Sequence, residues 1–338
     1  MSENPLAFED RERQYMKKNI KIAGIAGALL AVIGMTTVGA TAGHAAAKKK
    51  GGLISIITVT LKNPFWQAEV KAAEAEAKAL GYTTKSAAHE QDVNKQSQLI
   101  DAAIANHSVA IILDNAGADA SIGPITKATK AGIPVFLVNA EINKTGIAKA
   151  QIVSNNAQGA AIGGAEFARV MGQTGSYLEL YGNPTDNNAE VRSSGYKSVF
   201  SQYPGLVQAQ KEVANWDRQQ GFAKAQTMLQ AHPDVKGIVN GNDEMALGAI
   251  AALAAAGKTG VIVGGFDGSP DAVAAVKAGT LAYTVLQPIT VLSKMAVDQA
   301  NSYIKTKKTG AKSEKQTVDC TLITKANAAK YTSWALKA

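Results

Sequence analysis

Amide, carboxylate and guanidinium side chains recur in this sequence directly after short apolar runs. Asn63, Asp114 and Asn139 follow the runs LISIITVT, VAIIL and PVFLV. Side chains with two acceptors or paired donors can each hold two adjacent hydroxyl groups. Aromatic rings beside them would cover the apolar C–H faces of a carbohydrate. These residue types therefore predict a site for a small polyhydroxylated ligand.

The second half of the chain repeats this arrangement with Arg192, Trp216, Asn242, Asp267 and Gln287. Taken singly, such residues are equally typical of turns and helix caps in strand-to-helix loops. Their recurrence in both halves favours two facing rims that enclose one ligand.

Alternating strands and helices must position these residues. Trp66, Val70, Ala73, Ala77 and Leu80 share one helix face after the first apolar run, and strand–helix units then recur along the chain. The alternation predicts α/β architecture with parallel sheets, and ligands bind beyond the carboxyl ends of such strands. About ten strands exceed one compact sheet. The polar stretch at 151–156 is a candidate boundary, and a single strand is predicted over 315–324.

Bulk composition excludes several functions. The 338 residues are 46% hydrophobic and carry a net charge of +8, without a basic stripe interleaved with aromatics, which argues against nucleic-acid binding. Cys320 is the single cysteine, and the four histidines lack metal-ligand spacing, so we expect no metal and no cofactor. No G-x-S-x-G motif occurs, and Gly257-Lys258-Thr259 lacks the first glycine of a phosphate loop. We therefore expect that the protein is not an enzyme.

The N-terminal region has the features of an export signal. Lys17, Lys18 and Lys21 precede an apolar stretch over 22–38, and small residues at 43–47 suit signal peptidase. We expect cleavage there and a true start at Met16, because the acidic residues 1–15 do not resemble a signal. The lack of a cysteine near the cleavage region argues against a lipoprotein and for a freely soluble periplasmic protein.

Five segments carry a resemblance to the periplasmic sugar-binding proteins of the ribose-binding type, a type I periplasmic binding protein family. They are LKNPFW (61–66), GIPVFLVN (132–139), NWDRQQG (215–221), AHPDVKGIVNGNDEMALGA (231–249) and VGGFDGSPDA (263–272). NDEMALGA followed by GFDG is also found in sugar-responsive repressors, which carry an N-terminal helix-turn-helix where this chain has the export signal.

The resemblance implies two doubly wound parallel-sheet lobes joined by a three-crossover hinge that closes on the ligand. It implies a signal peptide at 1–47, an N-terminal lobe of 48–154 plus 288–319, and a C-terminal lobe of 155–287 plus 320–338. It also implies ligand contacts at Asn63, Phe65, Trp66, Asp114, Asn139, Arg192, Trp216, Asn242, Asp267 and Gln287. In such sites the aromatic residues sandwich the sugar, and the polar residues bind its hydroxyls.

Two positions depart from the ribose pattern. Asn139-Ala140 stands where ribose binders resemble one another in an Asp-Arg pair, and Asp114 stands where they usually have Asn. Charge and volume near the sugar ring are therefore altered. We expect a sugar alcohol such as xylitol or a tetritol, or a different pentose or hexose, instead of ribose.

The resemblance implies a monomeric substrate-binding component of an ABC importer, which delivers its ligand to a permease and, through it, an ATPase. An alternative is a receptor component that presents its ligand to a chemoreceptor or sensor kinase, and the sequence does not separate the two. A periplasmic enzyme of the same fold is the third hypothesis. It would need a nucleophile–base pair in the cleft, and the sequence indicates none.

Overall fold

Strands and helices alternate along the chain in the computed structural model, which describes residues 51–332 and 334–336. The strands are β1 Leu53–Thr58, β2 Thr83–Ala88, β3 Ala110–Leu113, β4 Val135–Val138, β5 Ala150–Ser154, β6 Thr174–Tyr181, β7 Gly205–Val213, β8 Gly237–Asn240, β9 Ile262–Gly264, β10 Tyr283–Leu286, β11 Lys315–Val318, β12 Thr321–Thr324, β13 Tyr331–Thr332 and β14 Ala335–Leu336. The helices are α1 Pro64–Ala79, α2 Val93–Ala105, α3 Ile122–Lys130, α4 Asn156–Val170, α5 Asn187–Phe200, α6 Arg218–Ala231, α7 Asp243–Ala255, α8 Pro270–Ala278 and α9 Ile289–Thr306. A 3₁₀ turn covers Ala328–Lys330.

The strands form two six-stranded sheets and one short hairpin. The first sheet has the order β11-β5-β4-β3-β1-β2, with every pair parallel. The second has the order β12-β10-β9-β8-β6-β7 and is parallel except for β12. We call the sheets with their helices the first lobe (α1–α3 and α9) and the second lobe (α4–α8). The predicted fold class, two α/β lobes of the periplasmic binding protein type, is confirmed.

The chain crosses between the sheets at three places, after β5, after β10 and between β11 and β12. Helix α9 returns to the first lobe, where it packs on α1 and on β3, β4 and β5. β11 pairs with β5 and β12 pairs with β10, so the crossovers lie at one edge of each sheet, as a hinge between two lobes requires.

The prediction of one strand over 315–324 was wrong. β11 and β12 lie in different sheets, and Asp319 and Cys320 form the crossing between them. The stretch at 151–156, the candidate boundary between the sheets, begins within the buried strand β5. Gln151 fits this interior: its Oε1 accepts from Ile142 N at 3.0 Å, and its Nε2 donates to Glu314 Oε1 at 2.8 Å. The crossing from β5 to α4 follows directly.

The central strands β3 and β4 of the first sheet are wholly apolar. β3 and β4 are buried along their full length, as expected for a parallel sheet covered on both faces. Among the described residues, none of the helices is both long and apolar enough to span a bilayer. The predicted signal peptide at 1–47 and the predicted start at Met16 lie outside the described residues.

Candidate ligand-binding site

A cavity with about 270 Å³ of space free of protein atoms lies where the carboxyl ends of the two sheets face each other. Its walls are Asn63, Phe65, Trp66 and Asn139 from the first lobe and Asp186, Asn188, Arg192, Trp216, Asn242, Asp267 and Gln287 from the second. Nine of the ten residues predicted from the sequence line this cavity. Asp114 does not line it, while Asp186 and Asn188 do and were not predicted.

Helix N-termini position several of these side chains. Asn63 caps α1 through a hydrogen bond from Phe65 N to Asn63 Oδ1 at 2.8 Å. Pro64 at the first helical position suits this start, and Phe65 and Trp66 follow in the first turn. Asn242 caps α7 in the same way, with Met245 N at 3.0 Å from its Oδ1. Cap chemistry and cavity position thus coincide in the same residues.

The aromatic walls are closely packed. Phe65 and Trp66 meet edge to face with centroids 6.1 Å apart. Trp216 on the second lobe adopts φ +64°, a left-handed conformation that is unusual for a bulky residue. Its ring lies against Gly182 and Gly241, where an added Cβ would come within 2.1 Å and 2.8 Å of ring atoms. The two glycines make the space that the indole occupies.

Arg192 is 3% exposed and is held on three sides. Its Nε donates to Asn156 Oδ1 and its Nη1 to Gly241 O, each at 2.8 Å. The guanidinium carbon lies 3.9 Å from the centroid of the Phe266 ring. Nη1 also lies 3.7 Å from Asp267 Oδ1, which provides a counter-charge. Arg192 is therefore a fixed donor in the wall of the cavity.

Asp267 and Gln287 form a pair on the same lobe. Gln287 Nε2 donates to Asp267 Oδ1 at 2.7 Å, so the amide must turn its Oε1 away, and this buried oxygen has no partner. Burial raises the pKa of Asp267, and Arg192 opposes that rise. Asp267 has φ +134°, a strained conformation of a kind that clusters at ligand sites.

Asp114 lies behind the wall of the cavity. Its Oδ2 accepts from Trp66 Nε1 and from Asn139 Nδ2, each at 2.8 Å. Asp114 thus contacts two residues that line the cavity and does not line it itself. Asn139 itself has φ +65°, and its buried Oδ1 has no partner.

Several hydrogen bonds join the two lobes around the cavity. Asn188 Nδ2 donates to Asn139 O at 3.0 Å, and Ala118 N donates to Thr185 O at 3.0 Å. Burial raises the pKa of Asp186, whose carboxyl caps α5 by accepting from Asn188 N. The lobes are closed over the cavity.

The charges of the site favour a neutral ligand. Asp186 and Asp267 face one guanidinium, so a ligand with a carboxylate or phosphate would add a further negative charge to a buried site. Free amide oxygens on Asn139 and Gln287 need hydrogen-bond donors, which hydroxyl groups supply. No cluster of His, Cys, Asp and Glu in the described part of the chain could hold a metal ion.

Comparison with known proteins agrees with this architecture. Residues 54–308 match the periplasmic binding protein domain, so the chain belongs to this family. It is 52% identical over 285 residues to the D-apiose import binding protein of Paraburkholderia graminis, covering 84% of this chain and 91% of the relative. It is 49% identical to the protein of the same name from Actinobacillus succinogenes, covering 84% and 92%. The ribose import binding protein of Escherichia coli is 32% identical over 259 residues, covering 77% and 87%.

Solved structures of solute-binding proteins are also similar to this chain in fold. An ABC transporter solute-binding protein from Bacillus halodurans with bound myo-inositol has a TM-score of 0.78 and 25% identity, covering 86% of this chain and all of the other. One from Actinobacillus succinogenes with bound D-allose has a TM-score of 0.77 and 27% identity, covering 83% and 100%. The family resemblance predicted from the sequence is confirmed, and the chain is a solute-binding component, not an enzyme.

Proposed function

We propose that this chain is the substrate-binding component of an ABC importer and that D-apiose is its ligand. The observation that carries the proposal is the closed cavity between the lobes, with amide acceptors, one guanidinium and three aromatic residues around it. D-apiose is a neutral pentose, which fits both the charge of the site and the expectation of a pentose other than ribose. The two relatives named for D-apiose import, at 52% and 49% identity, support this choice.

The position of the cavity supports a single small sugar, because residues of both lobes line it and could contact the same ligand. One chain supplies both walls, so the protein acts as a monomer in this proposal. The ten predicted residues would divide accordingly: nine would contact the ligand, and Asp114 would hold Trp66 and Asn139.

The proposal includes the lobe boundaries and the export route. The N-terminal lobe would comprise 48–154 and 288–319, and the C-terminal lobe 155–287 and 320–338, consistent with crossings after β5, after β10 and between β11 and β12. The family implies a periplasmic location. Cleavage of the signal within 43–47 would release a protein without a lipid anchor, and N-terminal sequencing of the exported protein tests this.

Ligand-linked stabilisation tests the function. The melting temperature of the mature protein is measured with D-apiose, D-ribose, xylitol and myo-inositol. A ligand at 100 times its Kd should stabilise the native state by about 2.7 kcal/mol, and the shift should grow with concentration. D-apiose should give the largest shift. Stabilisation by another sugar alone would overturn the choice of ligand, and no shift with any of the four would count against the importer role.

A further inference from the structure

A second buried carboxyl group lies beside Asp114. Glu69 on α1 is 1% exposed, and its Oε1 accepts from Thr58 Oγ1 at 2.8 Å. Its Oε2 has no partner, and neither has Asp114 Oδ1. The two carboxyl groups are close enough to form a side-chain hydrogen bond with each other. Carboxylate oxygens only accept, so these two orphan oxygens can satisfy each other only if one of them carries a proton.

We propose that Glu69 and Asp114 share one proton, and that the pair acts through Asn139 to make the site present a hydrogen-bond acceptor to the ligand. The proton between Glu69 Oε2 and Asp114 Oδ1 leaves Asp114 Oδ2 free to accept. Asn139 must then point its NH₂ group at Asp114 and its Oδ1 at the cavity. Glu69 and Asp114 are thus positioning residues, and the ligand must place a hydroxyl at Asn139.

Asn139 stands where ribose binders resemble one another in an Asp. The Glu69–Asp114 pair explains how Asn139 can still present an acceptor oxygen to the ligand at this position. An amide alone could turn either end toward the ligand, whereas an amide held by a carboxylate cannot. Gln287 is held in the same way by Asp267, so each lobe offers one amide oxygen to the cavity. The inference deepens the proposed function by defining the ligand as a neutral compound with hydroxyl donors on both sides.

Electrostatics support a shared proton. Burial raises the pKa of Glu69 well above its ordinary value, and the charge of Asp114 raises it further. Burial likewise raises the pKa of Asp114, and Asp186 adds to this rise. His89 also contacts Asp114: its Nε2 lies 2.9 Å from Asp114 O, and its Nδ1 accepts from Gln91 N. The ring is therefore neutral, and burial lowers its pKa.

The sign of the pH effect follows from these directions. A carboxyl whose pKa is raised by folding binds its proton more tightly in the native state than in the unfolded state. The free energy of unfolding that this pair contributes is therefore greatest below the pKa of the unfolded state. It falls as the pH rises toward the pKa of the folded state. Two substitutions of Glu69 separate the role of the shared proton. Glu69→Gln supplies a permanent N–H donor to Asp114 and an acceptor for Thr58. Met has a similar length and supplies neither.

The experiment compares the wild type with Glu69→Gln and Glu69→Met. Urea unfolding without ligand is measured between about pH 5 and about pH 9. We expect stability to fall with pH in the wild type and to change clearly less in Glu69→Gln. Infrared spectroscopy should show a protonated carboxylic acid at neutral pH that Glu69→Gln removes. Equal pH slopes, or no such band, would overturn the shared proton.

Calorimetry with D-apiose tests the positioning role. Glu69→Gln should bind within about twofold of the wild type, and Glu69→Met should bind about tenfold more weakly or worse, because Asp114 loses its donor. Asn139→Gly removes the side chain at a backbone conformation that glycine adopts freely. In the Asn139→Gly background, Glu69→Met should change the affinity for D-apiose much less than it does in the wild type. An unchanged effect, or wild-type affinity in Glu69→Met, would overturn the role. Failure of the wild type to bind D-apiose would instead count against the proposed ligand, because the unfolding measurements use no ligand.

Discussion

Gly182 is predicted to be required for binding although its side chain is only a hydrogen. The Trp216 ring lies directly against it, and a Cβ at position 182 would fall 2.1 Å from the Cη2 and Cζ2 atoms. Ordinary van der Waals contact begins near 3.4 Å. The substitution Gly182→Ala therefore forces the ring to move by about 1 Å or more. Alanine fits the backbone there, because φ at Gly182 lies outside the left-handed range.

The size of the effect follows from the position of the ring. Trp216 is 5% exposed and lines the cavity, with Gly241 on another side leaving little room to retreat. Overpacking of this kind costs about 1–3 kcal/mol. If the ring relaxes into the cavity, that cost falls on the bound state and raises Kd by about 5- to 150-fold.

The assay is calorimetry with D-apiose on Gly182→Ala, Trp216→Ala and the double variant. The methyl group should cost little affinity once the ring is absent, so the two changes should be strongly non-additive. Gly123→Ala is the matched control, because an added Cβ at this α3 position meets nothing within 4 Å. Wild-type affinity in Gly182→Ala, or an equal loss with and without the Trp216 ring, would refute the reasoning.

Three further predictions follow from other contacts. Arg192→Met should weaken D-apiose binding by about 100-fold or more in calorimetry, because it leaves Asp267 buried without its cation; a loss below tenfold would contradict this. Asn188→Ala should speed ligand dissociation by about fivefold or more in stopped-flow experiments, because Asn139 O loses its donor from the other lobe. An unchanged dissociation rate would show that this bond does not hold the lobes together. Burial raises the pKa of Cys320 to about 12, so native protein at about pH 8 should resist thiol reagents that modify the unfolded chain at once. Rapid modification of native protein would contradict that burial.

Most of the site could be predicted because its residues follow buried strands. Asn63, Asn139 and Asp267 come after clear apolar runs, and the carboxyl ends of parallel strands meet at one edge of a sheet. Asp186 and Asn188 were missed because they stand at the N-terminus of α5, where Asp and Asn are equally typical of helix caps. The signal that could have found them is the cap at Asp186 before α5.

The errors in the predicted fold have a common cause: short strands differ little in composition from the segments next to them. β2 (TTKSAA) is a sheet edge of small and polar residues, without the β-branched apolar run of its neighbours. β11 and β12 read as one run because the crossing between them takes only two residues. Glu69 looks like a solvent-facing helix residue in the sequence. Its burial follows from the partner that the first sheet brings to it, Asp114, which is 45 residues away along the chain.

A crystal structure of the protein with D-apiose tests the central claim most directly. The account predicts one sugar between the lobes, packed against Phe65, Trp66 and Trp216. Its hydroxyl groups should lie within hydrogen-bond distance of Asn139 Oδ1, Gln287 Oε1 and the Arg192 guanidinium. A sugar bound outside this cavity, or one whose hydroxyls leave both amide oxygens without a partner, would contradict it.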